Sequence, residues 1–304
     1  MKLGLLTAPF PETPLEEVAD WTAANGFNAI EIACWPASSG DTRRYAGTSH
    51  IDVDDISDTH ASEIAEGMRE RGLEVSGLGY YPNPLHPDPE HRRMVIDHMK
   101  KVIVAAGKMS VPVFNTFIGA DSARTQDQNW EEATRVWPEI ISTAEDNGVR
   151  IAIENCPMIF SKDEWPSGHN LAYNPRIWRR MFEEFGEAIG LNFDPSHLIW
   201  LMIDIESAII EFGHRFYHFQ AKDVMIDYEG LYENGTLSSG IGWQIPRLPG
   251  LGDVDWARVF SALYRVGYDK SIIIEHEDRD FEKTDELVKR GFLIARDVLG
   301  PYIH

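Results

Sequence analysis

Cysteine is almost missing from this chain: Cys34 and Cys156 are the only two in 304 residues. That number gives no disulfide framework and is too small for a thiolate metal cluster. Basic residues are scarce beside acidic ones, 28 against 49, for a formal net charge of −21. A nonspecific nucleic-acid binder needs a cationic face against phosphate, so the balance argues against that class. It suits a divalent cation, although surface solubility explains it equally well. No apolar run approaches a membrane span. The N-terminal MKLGLLTAPFPE is too short, and too early broken by prolines, to read as a signal peptide. A soluble cytoplasmic protein is the expectation by default. Nucleotide signatures are missing as well. The first apolar run leads into APFPETP rather than G-x-G-x-x-G, and no G-x-x-x-x-G-K-[ST] occurs.

What is present is a regular alternation. The run KLGLLT is followed by TPLEEVADWTAANG, with helical spacing and a closing glycine, and then by NAIEIACW. Helices are predicted near His60–Arg71, Glu90–Lys108, Asn129–Asn147, Pro175–Phe185 and Ile205–Phe212, from Val254 onward, and near Thr284–Leu299. They separate the strands LEVSGLG, VPVFNTF, VRIAIEN, IGLNFD, RFYHFQAKD and SIIIEHED. Apolar strands divided by amphipathic helices imply a parallel sheet covered by helices. Eight such units in a chain with 43% hydrophobic residues favour one α/β domain over residues 1–304, a single (β/α)8 TIM barrel, with a doubly wound sheet as the alternative.

The long connections all leave strand C-termini: Pro36–Ile56, Tyr80–Glu90, Ile118–Gln128, Cys156–Asn174 and Val224–Gly252. In a barrel they share one face, where active sites form. Three acids stand at that face. Glu154 ends strand five, Asp194 strand six and Glu275 strand eight. In HFQAKD, period-two alternation puts His218, Gln220 and Lys222 on one side. Three carboxylates with an imidazole or an amide are a donor set for one Mn2+, Mg2+ or similar ion. Without an ion, their mutual repulsion would raise their pKa values.

At IAIENC, NFDPSH, HFQAKD and IIIEHED the sequence resembles the xylose isomerase-like TIM-barrel superfamily, the sugar phosphate isomerase/epimerase group, over nearly its whole length. The resemblance implies one divalent cation held by two Glu, one Asp and one His, and action on sugars, ketoses or polyols. Manganese is the expected ion, with Mg2+, Co2+ or Zn2+ as alternatives. The implied metal ligands are Glu154, Asp194, Glu275 and either His218 or Gln220. The family's strand-seven pattern is H-x-H-x-K-D, and here Gln220 stands in the second histidine's place. By the same resemblance Glu154 and Glu275 move the proton, and His197 hydrogen-bonds a substrate oxygen. Lys222 either stabilises an oxyanion or forms a salt bridge with Asp223 or Glu275. Relatives that cut DNA at abasic sites need more histidines and a cationic surface. The segments RRYAGTSHID, YYPNPLHPD, VFNTFIG and IEHEDR also resemble proteins that process 3-oxo-glycosides by lyase chemistry.

Further upper-face candidates for substrate contact are His50, Asn83, Asn115 and His169. Trp35, Trp165, Trp200 and Trp243 are candidate walls against a sugar ring. No phosphate cradle is visible, which favours an unphosphorylated or glycosidic carbohydrate. Long loops and spare aromatics point to a homo-oligomer. A sugar-binding protein without catalysis is the remaining reading, disfavoured by the presence of both glutamates.

Overall fold

The apolar run KLGLL pairs on both sides with other apolar runs. Strand β1 (Lys2–Leu6) lies in parallel register with Ala29–Ala33 (β2) on one edge and Ser271–Ile274 (β10) on the other. In this computed structural model, which describes residues 1–36, 47–159, 168–236 and 242–304, that pairing closes a barrel. The intervening barrel strands are β3 (Glu74–Gly79), β4 (Val113–Thr116), β5 (Arg150–Glu154), β6 (Ile189–Phe193) and β7 (Phe216–Ala221). All eight run parallel, so the predicted (β/α)8 TIM barrel is the observed fold.

Helices α1 (Leu15–Ala24), α2 (Asp58–Glu70), α3 (Pro89–Lys108), α4 (Gln126–Asp146) and α5 (Pro175–Phe185) follow the first five strands. Their starts are encoded locally. Asp88 caps α3 ahead of Pro89, and Thr125 and Gln128 form a reciprocal capping box on α4. Each helix turns an apolar stripe onto the strands: α5, for example, buries Ile177, Trp178 and Met181. Burial of one such side chain contributes about 1.5–3 kcal/mol, and the core between strands and helices runs through every unit.

Two features depart from the simple alternation. A short helix, α6 (Ser196–Trp200), precedes α7 (Ile205–Phe212) after β6. The 224–252 connection, read as a loop, holds an antiparallel ribbon. Its strands are β8 (Asp223–Ile226) and β9 (Gln244–Arg247), with α8 (Tyr228–Asn234) between them. Asp223 anchors this insertion by accepting from Val224 N, Gly250 N, Val254 N and Trp256 Nε1. Helices α9 (Trp256–Arg265) and α10 (Asp285–Leu299) complete the ring.

The barrel interior is polar above a small apolar floor of Val113, Ala152 and Tyr217. Two bulges shape it. Ile30 pairs with Val75 but Glu31 pairs with Gly77, so Ser76 is the extra residue. Leu191 pairs with Phe216 but Asn192 pairs with His218, so Tyr217 is extra. Such bulges re-aim the neighbouring side chains.

Candidate active site

The predicted acids converge. Glu154 is the last residue of β5, while Asp194 and Glu275 directly follow β6 and β10. One carboxylate oxygen from each lies within 4.8 Å of the other two. Buried amides fix the backbones that carry them. Asn155 donates to Asp194 O at 2.8 Å and accepts from Asp194 N at 2.7 Å. Asn170 donates to Glu154 O at 2.8 Å and, through Oδ1, accepts from Ile118 N at 3.1 Å. Neither amide was singled out in the sequence, although Asn155 follows Glu154 directly.

Lys222 enters the same cup from the end of β7. Its Nζ is 2.9 Å from Glu275, 3.1 Å from Asp194 and 3.2 Å from Glu277. Burial opposes the Lys222 charge, but Glu275, Glu277 and Asp194 outweigh it and push the ammonium pKa well up. Burial likewise opposes ionisation of Asp194, yet Lys222 and His197 hold that carboxyl down at about 2. Glu275 goes the other way: burial, together with repulsion from Glu154 and Glu277, raises it well above the ordinary carboxylate range despite Lys222. The surroundings thus push the proton affinities of Asp194 and Glu275 in opposite directions.

His197 belongs to the cup. Its Nε2 is 3.0 Å from Asp194 Oδ2 and 3.4 Å from Glu154 Oε1. Burial disfavours its charge, but Cys156 and then Asp194 outweigh that and push its pKa well up, while burial raises the Cys156 thiol in turn.

Beneath the carboxylates lies a second polar layer that sequence reasoning missed. Glu31, fully buried in β2, accepts from Tyr81 Oη at 2.5 Å and from Gln220 Nε2 at 3.2 Å. Gln220 Nε2 also donates to Tyr81 Oη at 2.9 Å. Burial lifts Glu31 to about 7 against the pull of its Tyr81, Asn115 and Gln220 partners. Gly79 makes room for this network, because a Cβ there would sit 2.7 Å from Glu31 Oε1. The available signal was an acid inside the apolar run AIEIA.

The two strand-seven candidates occupy different surroundings. His218 Nδ1 lies 2.9 Å from Asn192 Oδ1 and Nε2 lies 3.0 Å from Ser76 Oγ. It is 3.8 Å from Glu31, and burial pulls it down to about 3. Gln220 has its amide nitrogen pinned, while Oε1 is buried without a hydrogen-bond partner among the described residues. An orphaned amide oxygen and three convergent carboxylates fit a divalent cation. Glu154, Asp194 and Glu275 could hold it, and Gln220 Oε1 is the strand-seven oxygen left free to join them.

The remaining candidates separate clearly. His50 hydrogen-bonds Thr7 Oγ1, Phe10 O and Thr13 O, tying two loops together. Both ends of Asn83 are used on Ala120 and Leu85. Asn115 is fully buried beside Glu31, and its side-chain amide makes no well-formed hydrogen bond among the described residues. His169 is held through its backbone N–H on Met158 O. Trp35 stacks on Tyr81 and Trp200 stands edge-on to His197, so two of the four tryptophans neighbour site residues, and Trp243 packs edge-on against Trp200. Trp165 and the stretch 43–46 lie outside the described residues.

Three comparisons bear on this geometry. Uncharacterized protein YfiH of Bacillus subtilis (strain 168) is 27% identical over 310 residues, covering 91% of this chain and 93% of the relative. The solved IolI protein with a binding zinc atom superposes with a TM-score of 0.71 at 17% identity, over 100% of this chain and 99% of that one. D-psicose 3-epimerase with D-tagatose, from Clostridium cellulolyticum H10, gives 0.69 at 17% identity, over the whole of both chains. The family described as Xylose isomerase-like TIM barrel matches residues 19–297, and the chain belongs to that family.

Proposed function

We propose that the chain is a divalent-metal-dependent isomerase or epimerase of an unphosphorylated sugar, keto-sugar or polyol. It works by proton transfer at the carbon beside a carbonyl. The observation that carries this reading is the convergence of Glu154, Asp194 and Glu275 in one buried cup, with Lys222 against two of them. The epimerase named among the similar structures supports it.

A bound divalent ion supplies Lewis-acid polarisation of the substrate carbonyl. The protein's own groups do the rest. Glu154 and Glu275 reach the cup from different strands and would take and return the proton on the two sides of the reacting carbon. His197, beside Asp194 in the cup, would hydrogen-bond a substrate oxygen. Lys222 balances the charge that develops on the carbonyl oxygen. Trp35, Trp200 and Trp243 form apolar wall for the sugar ring and limit water. The donor set Glu154, Asp194, Glu275 and Gln220 is all oxygen, which favours Mn2+, then Mg2+, over Co2+ or Zn2+.

In the same reading the partner is a small carbohydrate, not nucleic acid or a membrane, and the setting is the cytoplasm. No helix among the described residues is long and apolar enough to cross a membrane. Exposed Met202, Tyr228 and Tyr232 provide apolar surface for a homo-oligomer, which mass measurement in solution tests. The deciding experiment incubates the Mn2+-loaded protein in deuterated water with free ketoses, inososes and 3-oxo-glycosides. Deuterium in a rearranged free sugar, dependent on metal and on both glutamates, supports the proposal. Release of an aglycone or an unsaturated sugar reassigns the protein as a lyase. No turnover and no exchange on any carbonyl substrate ends both readings.

A further inference from the structure

Glu154 belongs to two donor groups of opposite chemical character. One is the all-oxygen set with Asp194 and Glu275. The other joins it to Cys156 and His197, whose sulfur and ring nitrogen lie with a Glu154 oxygen inside a 4.8 Å span. We infer that Glu154, Cys156 and His197 form a separate site for a thiophilic divalent ion of the zinc and cadmium class, adjacent to the oxygen site and sharing Glu154 with it.

The donors are of the right kind and number. Three protein ligands from sulfur, nitrogen and oxygen, with a fourth position open, is the pattern of an accessible zinc site. Donor atoms around tetrahedral zinc stand ~3.5 Å apart, given metal–ligand bonds of about 2.0–2.3 Å. The His197–Glu154 pair is already at 3.4 Å. The sulfur must move in by at most about 1.3 Å, starting from a span of at most 4.8 Å. Cys156 lies just past β5 on a chain turn where its Sγ accepts from Met158 N at 3.3 Å, a bond that favours the thiolate. His197 is 8% exposed, and neither ring nitrogen makes a well-formed hydrogen bond among the described residues. Binding replaces the Cys156 S–H bond with an Sγ–metal bond and releases the proton to water. Hard ions such as Mn2+ and Mg2+ have little affinity for a thiolate and would ignore this set. An ion held here withdraws His197 and Glu154 from any substrate, so zinc or cadmium acts as an inhibitor by a route manganese does not share.

The chain is well suited to a direct test because it has one other cysteine. Cys34 is fully buried, its thiol directed at Ile32 O and pushed far up by burial. Thiolate-to-metal charge-transfer absorption therefore reports on Cys156 in the unmodified protein. The experiment titrates chelator-treated full-length protein with Cd2+, alone and with excess Mn2+, following the ultraviolet band. The expected result is a band saturating at one ion per chain. It persists with Mn2+ present, survives Cys34→Ala, and is absent in Cys156→Ala and Cys156→Ser variants whose circular dichroism matches the parent. His197→Asn removes one of the three proposed ligands and should weaken Cd2+ binding by at least about tenfold, since even loss of an outer-shell partner costs that much. Cadmium binding with no thiolate band in the unmodified protein overturns the inference. So does a band that outlasts both Cys156 substitutions, or one abolished by Cys34→Ala. None of these readouts depends on turnover, so the sugar-isomerase reading stands or falls separately.

Discussion

Lys222 Nζ stands 2.9 Å from Glu275 Oε2, so the cup holds its own cation even with no ion bound. The ammonium also lies within reach of Asp194 and Glu277 and compensates charge in a region almost sealed from water. A metal must enter against this resident charge. Lys222→Met removes it and leaves the carboxylates facing one another. The metal-free variant should lose about 3–5 kcal/mol, as when one partner of a buried pair is deleted. Saturating Mn2+ should restore more stability to the variant than to the parent. Urea denaturation with and without Mn2+ measures both. Equal stabilisation of the two proteins by Mn2+ would show that Lys222 and the ion do not share these carboxylates.

The two glutamates should differ from the aspartate in their effects. Glu154→Gln and Glu275→Gln keep an oxygen donor but cannot move a proton. Each should cut kcat by ~10²–10⁴ while retaining part of the ion. Asp194→Asn removes the anion that faces both Lys222 and His197, and should lose metal as well as turnover. Metal content per chain beside kcat decides this. Glutamine variants that keep full activity would remove both glutamates from the chemistry.

The strand-seven question turns on Gln220. Its amide nitrogen is held by Glu31 and Tyr81, which leaves only the carbonyl oxygen for an ion. Gln220→His offers imidazole instead, and should shift preference from Mn2+ toward Zn2+ or Co2+ by at least about tenfold. His218→Gln should cost stability without changing that preference, because His218 is engaged with Asn192 and Ser76. Competition calorimetry separates the two outcomes. Altered selectivity in His218→Gln alone would assign the ligand to His218.

The sequence made some of this site legible and concealed the rest for physical reasons. Glu154, Asp194 and Glu275 stand out because each ends a long apolar run, and a parallel barrel brings all strand ends together. Glu31 does not end a strand. Its inward placement coincides with the bulge at Ser76 on the neighbouring strand, a register choice made when the sheet closes rather than by local pattern. The 224–252 insertion read as loop because β9 is only half-buried and includes Pro246, and its register depends on Asp223 contacts across the fold. His50 and Asn83 are polar loop residues whose partners lie far away in sequence, so loop anchoring and substrate contact look alike before folding.

His50 provides a pH test of that anchoring. With Nε2 on the carbonyls of Phe10 and Thr13 and Nδ1 on Thr7 Oγ1, the ring is neutral with its proton on Nε2. Burial lowers its pKa from 6.5, against the opposing pull of the Thr13 and Phe10 carbonyls. Below pH 6.5 the unfolded chain takes up a proton that the folded chain refuses, so His50's contribution is complete above 6.5 and lost as pH falls toward the folded value. His98 and His218 are lowered too and act with the same sign, so the parent's acid sensitivity alone does not isolate His50. The difference between parent and His50→Gln does. At about pH 8 the variant should be less stable by roughly 1–3 kcal/mol, since buried carbonyls lose their donor. That gap should narrow as pH falls below 6.5, because only the parent pays to keep this ring neutral. Urea midpoints across the range give the gap directly, and a gap that widens in acid would show that the folded protein binds His50 in its charged form.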